Sequence, residues 1–274
     1  MTRTLITGAT GTLGSELRPL LLDAGHEVIG ASRSPSSAGS DEATADEATA
    51  DEAIATGAIE WVSMDLAEGT GIEAALDGVD VVVHAASNAT GDHESVDARG
   101  TGRLVEAAEA AGVSHIVYPS IVGIDEMTSY GYYEHKLAAE DAIREGEVPF
   151  TIVRATQFHE FVDEFLSMVA WLPIWPLPTG FRVQPIAAKE VAEGLVDHAT
   201  GEPAGDAPPV GGPAIREGRA LAEAYRSARG RRRPIVRLPL PGETAAAFRA
   251  GTATAPDRTV GDQSWEAWLA ERYD

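Results

Sequence analysis

The sequence has no cysteine among its 274 residues, and this absence excludes disulfides, iron–sulfur clusters and thiol catalysis. Basic side chains are also scarce. The chain has 21 lysines and arginines but 43 aspartates and glutamates, which gives a formal net charge of −22. A surface of that charge repels polyanions, so neither nucleic acid nor an anionic membrane is expected as a partner.

Lysine is almost missing, since Lys136 and Lys189 are the only two. An acidic, lysine-poor chain resembles proteins that work in a salt-loaded cytoplasm. The N-terminus carries one arginine and passes directly into an apolar strand pattern, so no signal peptide is expected. The most apolar stretch, 158–181, contains Asp163, Glu164 and three prolines, which argues against a membrane-spanning helix. We therefore expect a cytoplasmic protein.

Apolar strand patterns alternate with helix patterns through the first half of the chain. This alternation predicts an α/β fold with a Rossmann-type, doubly wound parallel sheet. The predicted strands span 4–6, 27–32, 59–64, 79–85, 115–119 and 150–154, and the predicted helices span 13–24, 72–76, 94–111 and 130–145. Ligands of such sheets bind at the carboxyl ends of the strands.

The first predicted strand runs straight into a turn with three glycines spaced three residues apart. In a dinucleotide-binding turn, such glycines permit the tight turn, the approach of a pyrophosphate and close packing of the helix on the sheet. The N-terminus of the helix then offers free N–H groups to the phosphates. We therefore expect cofactor contacts from Gly8, Thr10, Gly11, Thr12, Leu13 and Gly14.

Residues 7–14 resemble the opening of the short-chain dehydrogenase/reductase superfamily, and the Thr-Gly-Ala-Thr-Gly start is most similar to its atypical, NmrA-like branch. The resemblance covers about residues 1–186, and more loosely the rest. It implies an adenine contact from Asp65 and Leu66, although a turn or capping carboxylate is an equal interpretation of Asp65. Small residues along the cofactor are implied at Ala85, Ala86 and Ser87.

The resemblance also implies how the chain divides. We expect an NAD(P)-binding Rossmann domain over 1–157, with an acidic low-complexity insert at about 36–56 that repeats Asp-Glu-Ala-Thr-Ala. Prolines break the remainder, 158–274, into short pieces, which we interpret as a substrate-binding and C-terminal region packed on that domain. Its predicted elements are helices at 191–199, 217–226 and 265–271 and a strand at 235–238.

Arg33 follows the second predicted strand, where NAD-binding chains place a carboxylate for the ribose hydroxyls. Here the strand ends in Ala-Ser-Arg-Ser, without an acid. A guanidinium fits the extra phosphate of NADP, and neighbouring serines can donate to it. We therefore expect NADP(H) to be preferred over NAD(H). The alternative is a surface arginine paired with the acidic insert.

Tyr132 and Lys136 give the strongest catalytic signal, because they lie four residues apart in a predicted helix and so share a face. An ammonium near a phenol lowers its pKa, so Tyr132 could exchange a proton with a carbonyl or an alcohol near neutral pH. The superfamily resemblance implies these roles and adds a contact from the lysine to the nicotinamide ribose. Tyr133 lies one residue off the lysine's face and is expected to point into packing.

Ser120 ends the fifth predicted strand, where serines of the superfamily help to bind the reacting oxygen; the alternative is a hydroxyl that satisfies local backbone groups. The sequence departs from many relatives at Asp97, which stands where they have an asparagine. This departure puts in doubt a proton relay through that position.

Aromatic residues are concentrated after the sixth predicted strand, in a chain with only 6% aromatic residues. They indicate either a lid over an apolar substrate or a helix that packs in the core or in a dimer. Substrate contacts are hypothesised for Phe158, His159 and Phe161. The basic cluster Arg229–Arg233 is expected to be a solvated face rather than a phosphate site.

Three functions fit these residues. The first is an NADP(H)-dependent oxidoreductase that transfers hydride to a small apolar carbonyl or quinone-like acceptor. The second is an NmrA-like redox sensor or accessory protein that binds the cofactor without turnover, and the third is a nucleotide-sugar epimerase or dehydratase. We expect a small-molecule substrate, no metal, and a monomer or homodimer.

Overall fold

The computed structural model describes residues 1–34, 59–89 and 91–273. The acidic insert predicted at about 36–56 lies outside the described residues. The strands are β1 (Arg3–Thr7), β2 (Glu27–Ser32), β3 (Glu60–Ser63), β4 (Val81–His84), β5 (His115–Ile121), β6 (Phe150–Ala155), β7 (Trp175–Leu177), β8 (Arg182–Val183), β9 (Gly205–Asp206), β10 (Arg216–Glu217) and β11 (Ile235–Arg237).

Seven strands form one sheet in the order β3-β2-β1-β4-β5-β6-β9. The pairings of β1 with β2 and β4, of β2 with β3, of β4 with β5 and of β6 with β9 are parallel. The predicted doubly wound parallel sheet is confirmed. Its order reverses at β1, where Thr7 is in register with Ala31 on β2 and with His84 on β4. The carboxyl ends of three strands therefore meet at the switch point of the sheet, where such folds bind ligands.

Helices flank these strands and continue through the rest of the chain. A predicted single helix over 94–111 is divided into a π-helical segment followed by an α-helix. The α-helices span Thr12–Asp23, Ile72–Ala75, Thr101–Ala111, Gly131–Glu145, His159–Ser167, Ala188–Thr200, Gly218–Ala228, Glu243–Ala250 and Trp265–Tyr273, with a π-helical segment at Glu94–Gly100 and a 3₁₀ turn at Ile124–Glu126. Of the helices described, none is long and apolar enough to cross a membrane.

The chain forms two compact units. The first comprises Met1–Ser120, His135–Val153 and Ala192–Ala207 and carries the sheet. All four residues of β4 are buried, as expected for a strand covered on both faces. The apolar core of this unit includes Leu5, Ile29, Val82, Leu104, Ile116 and Ile152.

The second unit comprises Ile121–Glu134, Arg154–Val191 and Pro208–Asp274. It contains two small sheets, a parallel pair of β7 with β11 and an antiparallel pair of β8 with β10. Its core is rich in aromatic side chains, among them Trp175, Tyr225, Trp265 and Trp268. Tryptophan and tyrosine bury large areas, so a few of them stabilise a unit with so little regular sheet.

Candidate functional site

Two glycines of the turn after β1, Gly8 and Gly14, have no room for a side chain. Gly8 has a φ of +68°, and a Cβ added there would lie 2.7 Å from the backbone N and Cα of Ala86. A Cβ on Gly14 would collide with the carbonyl oxygen of Gly8. Gly11 donates its N–H to that same oxygen at 2.9 Å and begins the helix without a side-chain cap. The first-turn amides are therefore not engaged by a cap and can bind an anion.

A cavity of about 420 Å³ opens at this turn, entirely within the first unit. Of the residues predicted to bind the cofactor, Thr12, Leu13, Gly14 and Lys136 are not part of its lining. Residues that the sequence reasoning did not place in the site include Met64, Asn88 and Val96. Among the described residues, the lining is Gly8, Thr10, Gly11, Ala31, Ser32, Arg33, Ser34, Met64, Asp65, Leu66, Ala85, Ala86, Ser87, Asn88 and Val96.

Arg33 is exposed at the rim of this cavity, directly after β2, with Ser32 and Ser34 beside it. Asp65 is the one acidic residue of the described lining, and its Oδ1 accepts the backbone N–H groups of Ala67 at 2.8 Å and Glu68 at 3.1 Å. Asp65 thus caps a turn, as the alternative interpretation of this residue predicts, and it also lines the cavity. The guanidinium of Arg33 is the only cationic group in the described lining.

His84 is buried at the end of β4, directly before the lining residues Ala85 and Ala86. Its Nδ1 lies 2.7 Å from the hydroxyl of Thr7, and its Nε2 lies 2.9 Å from the hydroxyl of Thr101. The Thr7 hydroxyl also accepts the N–H of Ala86 at 3.1 Å. Burial, helped by the charge of Lys136, lowers the pKa of His84 to about 3, so the imidazole is neutral near pH 7. His84 is therefore a packed, hydrogen-bonded residue.

Asp97 lies in the π-helical segment and bonds to two residues of the cavity lining. Its buried carboxylate accepts the hydroxyl of Ser87 at 2.6 Å and the backbone N–H of Asn88 at 3.1 Å. Both donors belong to the loop after β4 that lines the cavity. The residue that departs from the family pattern therefore has a clear structural task, which is to hold this loop in place.

Lys136 is buried, with 4% of its surface exposed. Its Nζ donates to the carbonyl oxygen of Pro119 at 3.1 Å and lies 4.1 Å from the ring centroid of Tyr118. Burial lowers the pKa of Lys136 to about 8, while the carboxylates of Asp97 and Glu140 oppose that shift. A lysine in such a place is poised to change its charge close to neutral pH.

Ser120 follows Pro119 in β5 and is also buried. Its Oγ has no hydrogen-bond partner among the described residues. Buried hydroxyls are almost always hydrogen-bonded, so an unsatisfied one is a place where a ligand atom can bind. This observation favours the reacting-oxygen interpretation over a local backbone role.

Tyr132 lies in the first turn of the helix Gly131–Glu145, one turn before Lys136. Its ring meets that of Tyr130 edge-on at 6.1 Å and that of Tyr133 at 5.8 Å. Tyr133 is buried, as predicted, and burial raises the pKa of its phenol. Of the neighbouring pair Tyr132 and Tyr133, the first is therefore the more accessible phenol.

A second cavity, of about 470 Å³, lies entirely within the second unit. No charged side chain is among its described lining residues, which are aromatic and aliphatic apart from a few hydroxyls and one amide, that of Gln157. Phe161 lines it, as hypothesised, but Phe158 and His159 do not. His159 is buried, with its Nε2 3.0 Å from the carbonyl oxygen of Gln263 and its ring 5.7 Å from that of Trp265.

That the arginine cluster 229–233 is a solvated face stays a prediction. Arg229 is exposed, and its guanidinium lies 4.6 Å from the ring centroid of Tyr273 and 5.6 Å from that of Tyr225. Arg226 donates to the carbonyl oxygen of Arg233 at 3.0 Å. These contacts pack Arg229 against two tyrosine rings.

A family model described as NAD(P)H-binding matches residues 8–197, more than half of the chain. The chain belongs to this NAD(P)H-binding family. The resemblance inferred from the glycine turn is confirmed, and the match includes all the predicted cofactor-binding positions. The family is described by the binding of NAD(P)H.

Similar proteins have several activities. The chain is 28% identical over 210 residues to an uncharacterized protein of Mycobacterium tuberculosis, covering 76% of this chain and 21% of that protein. It is 30% identical over 170 residues to a (4-alkanoyl-5-oxo-2,5-dihydrofuran-3-yl)methyl phosphate reductase of Streptomyces griseus, covering 62% of this chain and 50% of the reductase. The chain thus spans half or less of the length of these relatives.

Solved structures show the same fold across nearly the whole chain. An NADPH-dependent quinone oxidoreductase of Escherichia coli, solved with NADPH, has a TM-score of 0.76 at 16% identity and covers 99% of this chain and 100% of its own. A UDP-glucuronic acid 4-epimerase of Bacillus cereus, solved with NAD, has a TM-score of 0.71 at 16% identity, with 100% and 98% covered. At these identities the likeness shows the fold alone.

Proposed function

We propose that this chain is an NADP(H)-dependent oxidoreductase that transfers hydride to a small apolar carbonyl or quinone-like acceptor. The observation that carries the proposal is the burial of Lys136 against the carbonyl of Pro119. Lys136 is one of only two lysines in the chain. The chain belongs to an NAD(P)H-binding family, and its first unit has a glycine turn with a cavity beside it. A reductase among the similar proteins supports the same reaction class.

The residues of the first unit fit a dinucleotide. Gly8, Gly11 and Gly14 leave the backbone bare where a pyrophosphate would bind, and the uncapped helix N-terminus offers amides to it. Arg33 would bind the additional phosphate of NADP, because a planar guanidinium hydrogen-bonds phosphate oxygens in pairs. When bound, the reduced nicotinamide supplies a hydride.

The chain's own residues must supply the proton and hold the reacting oxygen. In the proposal, the Tyr132 hydroxyl donates the proton to the oxygen of the acceptor, and Lys136, in its charged form, stabilises the phenolate that remains. The Ser120 hydroxyl, which has no partner among the described residues, donates a hydrogen bond to the same oxygen. Lys136 also binds the nicotinamide ribose.

The apolar cavity of the second unit, which has Phe161 in its wall, suits an apolar acceptor. Its described lining has no charged side chain, so burying the diphosphate of a nucleotide sugar there would leave the charge unpaired. An uncharged carbonyl or quinone carries no such cost. This is why the oxidoreductase is preferred over the epimerase, although both share the fold.

Tyr132→Phe tests the mechanism. Loss of the proton donor should lower the rate of NADPH oxidation with a quinone or aldehyde by about a hundredfold or more. The affinity for NADPH and the thermal midpoint should stay as in the wild type, since only one hydroxyl is removed. Turnover by Tyr132→Phe at the wild-type rate would exclude the mechanism, and stable cofactor binding without any hydride transfer by the wild type would favour a redox sensor.

A further inference from the structure

Two glutamines of the second unit are buried, and their amides are in opposite states. Gln184 is 1% exposed, and its Nε2 donates to the carbonyl oxygens of Gly212 at 2.8 Å and Ala255 at 3.3 Å. Its Oε1 accepts the N–H of Ala255 at 2.7 Å. Gln157 is 8% exposed, and neither its Nε2 nor its Oε1 has a hydrogen-bond partner among the described residues. An amide buried without partners costs free energy, which a bound ligand can recover.

The backbone around Gln157 is held firmly. The carbonyl oxygen of Gln157 accepts the N–H of Ile186 at 3.0 Å, and the carbonyl oxygen of Ile186 accepts the N–H of His159 at 3.0 Å. These two bonds lie between the end of β6 and the start of the helix His159–Ser167. The fold therefore fixes the backbone position from which the side chain of Gln157 extends.

Gln157 lines the apolar cavity, whose other walls offer little polar competition. Thr244 has its hydroxyl engaged at 2.6 Å by that of Ser129. Tyr133 is buried, and burial raises the pKa of its phenol, so it stays uncharged. Two phenylalanines of the wall, Phe161 and Phe165, are 49% and 38% exposed, so an apolar ligand would cover them.

We propose that Gln157 is the specificity-determining residue of this cavity, and that it selects an uncharged, largely apolar acceptor in which a hydrogen-bond donor stands next to a carbonyl oxygen. The proposal rests on the proposed function, because the ligand is the molecule that is reduced. A primary amide presents one donor and one acceptor side by side, so a ligand with only a carbonyl leaves the Oε1 unpaired. A charged ligand is excluded because no described wall residue could neutralise it.

Menadione and its amino analogue, in which an amino group replaces the methyl group, form a matched pair of probes. Both are flat, uncharged naphthoquinones of similar size, and the analogue alone has a donor beside its carbonyl. Isothermal titration calorimetry on the full chain, with and without NADP⁺, measures binding without turnover, since the oxidised cofactor cannot donate hydride. We expect the amino analogue to bind about tenfold or more tightly than menadione.

Gln157→Leu should abolish this preference, with menadione binding at least as tightly as it binds the wild type. The thermal midpoint should stay unchanged or rise, because no hydrogen bond is lost, whereas Gln184→Leu should lower it, since three bonds are lost. Failure of both probes to bind, equal affinity for both, a preference that survives Gln157→Leu, or a midpoint that falls in Gln157→Leu as it does in Gln184→Leu would each overturn the proposal. A preference that depends on Gln157 without any hydride transfer would support it while contradicting the proposed function.

Discussion

The two cavities of the molecule are built from different parts of the chain. The cavity of the first unit is formed by backbone and small side chains, and its loops are held by satisfied bonds such as Asp97 to Ser87 and His84 to Thr7. The cavity of the second unit is formed by large apolar side chains, with the unsatisfied amide of Gln157 in its wall. A site made from backbone accepts one shape of ligand, whereas a site made from side chains can change its ligand by substitution.

The largest effect is expected from a side chain at the glycine turn. Gly8→Val should weaken NADPH binding by at least about a hundredfold. The Cβ of the new valine would lie 2.7 Å from the backbone of Ala86, and the φ of +68° at this position is strained for any residue with a side chain. Gly102→Ala is the matched control, since a Cβ added there meets nothing within 4 Å. Fluorescence titration with NADPH measures both, and wild-type affinity in Gly8→Val would show that the turn does not bind the cofactor.

The next effect separates the two lysines. Lys136→Met should lower turnover by about a hundredfold or more, because it removes the buried ammonium proposed to stabilise the phenolate. Lys189→Met, at the exposed lysine of the helix Ala188–Thr200, should leave turnover unchanged. Steady-state rates with NADPH and a quinone compare the two, and equal rates would remove Lys136 from the mechanism.

The pKa of Lys136 predicts the pH dependence. Turnover that needs the ammonium should fall as the pH rises through about 8, and this fall should be absent from the residual activity of Lys136→Met. The same shift acts on stability in the opposite direction. Between about 8 and the ordinary value of 10.5 the unfolded chain binds the proton and the folded chain does not, so stability contributed by Lys136 rises with pH. A flat rate profile across this range would contradict the assignment.

A smaller effect on stability and on NADPH affinity is expected from a substitution at Asp97. Asp97→Ala should lower the free energy of unfolding by about 1–3 kcal/mol, since the Ser87 hydroxyl and the Asn88 N–H lose their acceptor. NADPH affinity should fall several-fold with it, because both donors line the cavity. Denaturant titration gives the stability, and Asp77→Ala, at an exposed carboxylate, is the control that should change neither quantity.

The first cavity could be predicted from the sequence because its lining comes from short segments with recognisable patterns. The glycine turn, the end of β2 at Arg33 and the small residues after β4 are short segments whose meeting point follows from the order of a doubly wound sheet. The helix predicted over 94–111 begins as a π-helical segment, where Asp97 bonds the loop after β4, and no periodicity in the sequence signals that tertiary contact.

The second cavity could not be predicted in the same way. The strands of the second unit are only two or three residues long, and so short a strand gives a weak pattern in the sequence. The sequence pattern predicted β11 but not its partner, and it left the helix Glu243–Ala250 out. Gln157 carries no signal in the sequence, since only the fold shows that its amide is buried without partners.

The division of the chain at residue 157 and the roles of Tyr132, Ser120, Lys136 and Arg33 stay predictions.

The most direct test of the central claim is a paired titration of the wild type with NADPH and NADH in concentrated potassium chloride, followed by the fluorescence of its five tryptophans. We expect tighter binding of NADPH than of NADH, and we expect Arg33→Ala to abolish this difference. Equal or tighter binding of NADH would contradict the role of Arg33, and binding of neither would contradict the oxidoreductase itself.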